Sequence, residues 1–247
     1  MMRIYVCDKT FKGFLSAAVL ALKTPAGSSA IISEPGIEPD LFTEIIRPGT
    51  DPAAAAGLLR LIDERGSADS GYTVRLAFLS EAPGCETAIL EYLRLLLDKG
   101  RRADDMLADD RVKTVHGLAR KTGGEAHRFK GFTRFKELSD KTLYARIEPG
   151  HNILPLLTPH FKARLGPFNW VIHDAGRNTA ALHFNGNLVY APISPERALE
   201  LDGNEDAVQK LWKHFFKTIA IKERLNPELQ RQFVPLKYRK NLTEFEI

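Results

Sequence analysis

The chain has 247 residues, 44% hydrophobic and 27% charged, with a formal net charge of +4. That length can bury a core without disulfides or a structural metal, and the apolar content excludes a disordered chain. The two cysteines, Cys7 and Cys85, make neither a ligand spacing nor a disulfide framework and point to a reducing compartment.

Ile4, Tyr5 and Val6 are strand formers. After Asp8, the residues Phe11, Phe14, Leu15, Ala18, Val19 and Leu22 recur at helical spacing until Thr24-Pro25 and Gly27 break the pattern. The apolar run 14–22 imitates a signal peptide, but a strand over 3–8 and the acid Asp8 argue against one. No run approaches the roughly 18 apolar residues of a membrane span, so the expectation is a cytoplasmic chain with no membrane contact. Short strands are expected over 30–33 and 44–46. Asp51-Pro52 reads as a helix cap and first turn, with Leu58, Leu59 and Ile62 as its buried stripe and Gly66 as its stop. A strand is expected over 73–79, a turn over 81–84, and then a helix whose face is Ile89, Tyr92, Leu93, Leu96 and Leu97. This alternation predicts a small α/β layer for residues 1–100, ending at the charged segment 98–110.

The remainder, 101–247, reads differently. A helix carrying Val112, Val115, Leu118 and Ala119 is expected to stop at Gly123-Gly124. Strands over 132–138 and 142–147 are joined by Ser139-Asp140-Lys141 as a hairpin. A helix over 152–165 precedes strands over 170–174, 180–184 and 188–191, with Asn185-Gly186 as a tight hairpin turn. Val208, Leu211, Trp212, Phe215, Phe216 and Ile219 mark a long amphipathic helix. The prediction is an antiparallel sheet flanked by helices, giving α/β plus α+β overall. Residues 1–100 carry a net charge of −3 and residues 101–247 a net charge of +7. A basic half implies either a polyanion partner or a solvated basic surface.

Three groups carry candidate chemistry. The run 124–137 interleaves His127, Arg128, Lys130, Arg134 and Lys136 with Phe129, Phe132 and Phe135. As a strand it would put Phe132, Arg134 and Lys136 on one face, a platform for phosphates and bases, unless Phe135 packs the core and the basic face is merely wet. His160 and Arg164 share a helix face, and His173-Asp174 ends a strand with Arg177 in the next turn. His160, His173 and Asp174 are candidate acid/base groups with Arg164 and Arg177 as anion holders, or else members of a structural hydrogen-bond network. In the tail, Lys237, Arg239 and Lys240 flank Tyr238, forming either a phosphate-gripping segment or a strap anchored by Phe233, Leu236, Tyr238 and Leu242. None of the seven histidines pair at the spacing of a zinc helix. Neither a phosphate loop nor an iron–sulfur cysteine cluster occurs. No metal and no cofactor are expected.

The runs HRFKGFTRF, HFKARL and WVIHDAGR, the tail WKHFFKTIAIKERLNP with VPLKYRKNL, and the opening DKTFKGFL together resemble a bacterial family of unknown biochemical function, labelled probable DNA metabolism protein. Its domain occurs alone, beside a radical-SAM protein, or fused to uracil-DNA glycosylase-type domains. The resemblance implies a DNA-repair role and a radical-SAM partner. It supplies no catalytic residues, but His127, Arg134, His160, Arg164, His173, Asp174, Arg177 and Arg224 fall in its motif blocks. Three readings follow. One is a DNA-binding accessory gripping nucleic acid through Arg128, Lys130, Arg134 and the 237–240 tail. Another is a nucleic-acid-acting enzyme, and the third a protein-binding adaptor docking through its acidic half.

Overall fold

The computed structural model describes residues 1–33, 42–193, 202–218 and 226–245. The chain divides into two units, Met1–Gly123 and Gly124–Ile247. Residues 98–110, the expected divider, lie within the first.

In the first unit, strand β1 (Met2–Val6) pairs in parallel with both β2 (Ser29–Ile32) and β3 (Thr43–Ile46). Helix α1 (Phe11–Ala21) is capped by the Thr10 side chain, which accepts from the Gly13 amide. Asp51 accepts from the amides of Ala53 and Ala54 at the start of α2 (Pro52–Arg65), with the proline in the first turn, as its sequence predicts. The strand expected over 73–79 is instead helix α3 (Ser70–Phe78). Its β-branched Thr73 and Val74 favour a strand locally. Burial at Ser70, Val74 and Ala77 has helical spacing, however, and Phe78 stacks on Phe14 at 5.3 Å. Packing therefore overrides propensity.

Helices α4 (Cys85–Lys99) and α5 (Arg102–Asp105) are tied to α3 by one carboxylate. Asp104 accepts from the Ser70 hydroxyl at 2.6 Å, the Tyr92 hydroxyl at 2.5 Å and the Ser67 amide at 3.3 Å. Burial pushes its pKa up, but these donors outweigh that and hold it at about 2. A depressed carboxylate contributes stability that is present above its ordinary value near 3.8 and lost as pH falls toward 2. Asp104→Asn is therefore expected to flatten the acid limb of the first unit's stability and to cost about 2 kcal/mol at neutral pH. Urea titrations at pH 7 and pH 3 check this, and an unchanged pH dependence would count against it.

Helix α6 (Asp110–Phe132) runs straight through Gly123-Gly124, where the sequence predicted a stop. Two interior glycines cost about 1 kcal/mol each relative to alanine. The buried stripe Thr122, Glu125, Ala126 and Phe129 continues unbroken across them. The expected strand over 132–138 reduces to β4 (Lys136–Glu137). Phe132 closes the helix, and both Phe132 and Phe135 pack against the core, so no cationic strand face forms.

The second sheet has the order β4, β5 (Leu143–Ile147), β6 (Trp170–Asp174), β7 (Thr179–Phe184), β8 (Asn187–Pro192). Every neighbouring pair is antiparallel except β5 and β6, which run parallel and are joined through α7 (Leu154–Arg164). The β7–β8 turn holds Asn185 at φ 49° and Gly186 at φ 81°, the left-handed pair that an Asn-Gly hairpin supplies. Trp170, Ile172, Ile147, Leu157 and Phe161 form the core between this sheet and the helices. Helices α8 (Glu205–Thr218), α9 (Pro227–Phe233) and α10 (Leu236–Arg239) follow, then a 3-10 turn at Thr243–Phe245. Among the described residues no helix is long and apolar enough to cross a membrane.

Candidate functional site

The second unit contains a cleft of about 480 Å³, lined among others by Lys130, Arg134, Phe135, Arg164, Glu205 and Trp212. Three cations that the sequence singled out thus meet: Lys130 from the last turn of α6, Arg134 just beyond it, and Arg164 from the end of α7. They are not equivalent. Arg134 makes a two-pronged pair with Glu244, at 2.7 and 3.2 Å, and sits over the Trp212 ring at 5.4 Å. Burial pushes the Glu244 carboxyl up, but the Arg134 guanidinium and the other donors hold it below its ordinary value. Arg134 is therefore neutralised in place. Lys130 and Arg164 have no carboxylate partner among the described residues. Their field reaches His160, whose pKa is lowered by burial first and then by these two cations. Its Nε2 is buried without a hydrogen-bond partner.

His173 and Asp174 do not act together. Adjacent strand residues point to opposite faces. His173 accordingly meets the Tyr144 hydroxyl at 2.7 Å on the face away from the core, and burial, then Arg146, lowers its pKa. Asp174 lies on the core side at the end of β6. It accepts from the amides of Gly176 and Arg177 and from the Arg177 guanidinium at 3.0 Å. Burial raises its pKa although Arg177 pulls the other way. His160, on α7, joins neither, so the three proposed acid/base groups are spread over three environments.

The remaining candidates sort by partner. Lys240 pairs with Glu148. Arg239 donates to the Val234 carbonyl and covers the Phe245 ring. Lys237 lies over the Tyr238 ring at 4.6 Å. His127 and Arg128 are exposed on α6. Arg224 lies outside the described residues. The tail is anchored by buried Tyr238 and Leu242, while Phe233 and Leu236 are exposed.

Residues Pro149 to His151 form a further constellation that no sequence motif announced. This segment leaves the carboxyl end of β5, next to the turn that leaves β6. Arg177 donates to the carbonyls of Pro149 and Gly150 at 3.3 and 3.2 Å. Glu125 accepts from the amides of Gly150 and His151 at 3.0 and 2.8 Å, from the His151 ring at 2.5 Å, and from the Tyr238 hydroxyl. Burial pushes the Glu125 carboxyl up, yet these donors leave it below its ordinary value and therefore ionised. The only available signal was Glu125 itself, an acid on the buried stripe of α6 that requires donors. Among the described residues, no group of three or more His, Cys, Asp or Glu side chains is placed to hold a metal ion.

Residues 83–244 match the profile of a domain of unknown function, DUF4130. The chain belongs to the DUF4130 family. In DUF4130 terms the match takes in α4 through α10, and hence both the cationic cleft and the Glu125–His151 constellation. It is consistent with the expected unknown-function family but says nothing of DNA. No curated protein matches the chain.

Proposed function

We propose that this DUF4130 protein binds nucleic acid, DNA in the first instance, through the cleft between α6, α7 and α8. The observation that carries this reading is the pairing of Lys130 and Arg164, two cations without carboxylate partners among the described residues, with the aromatic walls Phe135 and Trp212. Phosphates are held by such cations, and bases stack on such rings irrespective of sequence. A volume of about 480 Å³ suits a nucleotide-sized group. Arg134 contributes by orienting Trp212 rather than by its free charge. An accessory role beside a radical-SAM enzyme in the cytoplasm belongs to the same proposal and is supported by the family resemblance alone.

Fluorescence anisotropy with a labelled single-stranded oligonucleotide, titrated at several salt concentrations, tests the reading. Log affinity should fall linearly with log salt, and the slope should shrink by roughly 0.7 for each of Lys130→Gln and Arg164→Gln. Each substitution should weaken binding about tenfold. Absence of binding at low salt, or a double variant that binds as tightly as the parent, would overturn it.

A further inference from the structure

The carboxyl ends of adjacent parallel strands are where α/β folds place reacting groups, and β5 and β6 are the parallel pair of the second sheet. The segment after β5 is fixed more firmly than a connecting loop needs. Its two carbonyls are held by Arg177 and its two amides by Glu125. Backbone fixation alone would be complete without the His151 ring, yet the ring also engages Glu125. An ionised carboxylate 2.5 Å from Nδ1 requires the proton to sit on Nδ1. In the neutral ring the lone pair then falls on Nε2, which has no hydrogen-bond partner among the described residues, on a side chain that is 26% exposed. A carboxylate that fixes the tautomer of a partly exposed imidazole whose other nitrogen has no protein partner is the arrangement of a positioned general base. A Cβ on Gly150 would begin 3.5 Å from Glu125 Oε1 and 3.8 Å from Lys237 Nζ, so a cation stands beside the same segment and the carboxylate that holds it.

We propose that His151, held by Glu125, is a general base that activates water against a phosphodiester, with Lys237 neutralising the phosphate. The choice of a nucleic-acid phosphodiester rests on the preceding reading of the protein. Nε2 accepts a proton from water while the water oxygen forms a new bond to phosphorus. The bond from phosphorus to one ester oxygen breaks, and the departing alkoxide takes a proton from solvent. The imidazolium, stabilised by Glu125, returns its proton to solvent. The net change is water plus diester to monoester plus alcohol. Glu125 is a positioning residue here, and Tyr238 and the two amides keep its carboxylate in place.

The full chain is assayed with bis(4-nitrophenyl) phosphate, which needs no extended groove, and with a labelled oligonucleotide whose binding is followed in parallel. His151→Gln is expected to lower cleavage of both on the order of 100-fold to 10,000-fold, with binding within twofold of the parent. Imidazole added to His151→Ala should restore part of the rate, which a purely structural role would not allow. Should the histidine variants fail to fold, Lys237→Gln at an exposed position is expected to lower cleavage about tenfold. Oligonucleotide binding without cleavage of either probe, or undiminished cleavage by His151→Gln, refutes the role of His151 and leaves the binding proposal standing. Cleavage of the small diester without oligonucleotide binding supports His151 and refutes the nucleic-acid reading. If the chain neither binds nor cleaves, both fail.

Discussion

Glu125→Ala is expected to destabilise the second unit by about 3–5 kcal/mol, the range for removing one partner of a buried ionic cluster. The carboxylate is 1% exposed and accepts from four donors. Its removal takes the acceptor from the amides of Gly150 and His151 and from the buried Tyr238 hydroxyl, and a buried donor left unmade costs about 1–3 kcal/mol. The loss should exceed that of Glu125→Gln, which preserves volume and one accepting oxygen. Urea unfolding followed by circular dichroism measures both. A loss below about 1 kcal/mol for the alanine variant would mean that water replaces the carboxylate, and that the segment after β5 is not held as described. Because the folded Glu125 titrates below its ordinary value, its contribution is present at neutral pH and lost as pH falls through that depressed value. Asp174 has the opposite sign. Its raised pKa makes its ionised form a cost that acid relieves.

Trp170→Ala should cost the same unit about 3–5 kcal/mol, the range for an aromatic truncated inside a packed core. Trp170 is fully buried on β6, between β5 and β7, and stacks on His183 with ring centroids 5.0 Å apart and planes 13° from parallel. Neighbours drawn from several elements, Leu157 and Phe161 on α7 among them, cannot all close the cavity. The chain has two tryptophans, and Trp212 is partly exposed. Loss of Trp170 should therefore remove the blue-shifted part of the fluorescence as well as lowering the urea midpoint. Substitution with a midpoint shift worth less than 1 kcal/mol would place the core elsewhere.

The two variants probe different layers of the same argument. Trp170 tests whether the second sheet is packed as a single core, and Glu125 tests whether that core fixes the segment bearing His151. A protein that tolerated the first and not the second would have a rigid site on a plastic scaffold. The reverse would leave His151 free to swing, and its proposed chemistry would lose its positioning.

Much of the secondary structure was legible because it is written locally. The Asp51-Pro52 helix start, the Asn185-Gly186 hairpin and the strands 170–174 and 180–184 rest on capping, turn and alternation rules that act over a few residues. The misread segments share a cause. Over 73–79 β-branched residues favoured a strand, and at Gly123-Gly124 the glycines favoured a stop, but the buried faces of α3 and α6 decided otherwise. A few kcal/mol of burial outweighs tenths of a kcal/mol for each β-branched residue in α3 and about 1 kcal/mol for each glycine in α6.

The candidate site was legible only in part. Lys130, Arg134 and Arg164 were identified as phosphate holders and do share a cleft, but only the fold shows that Glu244 claims Arg134. His173 and Asp174 were grouped because they adjoin, and the pleat of β6 separates them. Glu125 and His151 were not grouped because 26 positions divide them.

From its own order of residues the chain determined its α/β plus α+β character, most of its elements and the surplus of positive charge in its second half, since period, turn chemistry and composition are properties of short stretches. Tertiary structure alone decided which cations lack a carboxylate partner among the described residues and which imidazole meets a buried carboxylate. Those outcomes depend on distances of about 3 Å between residues remote in sequence, which register and packing set.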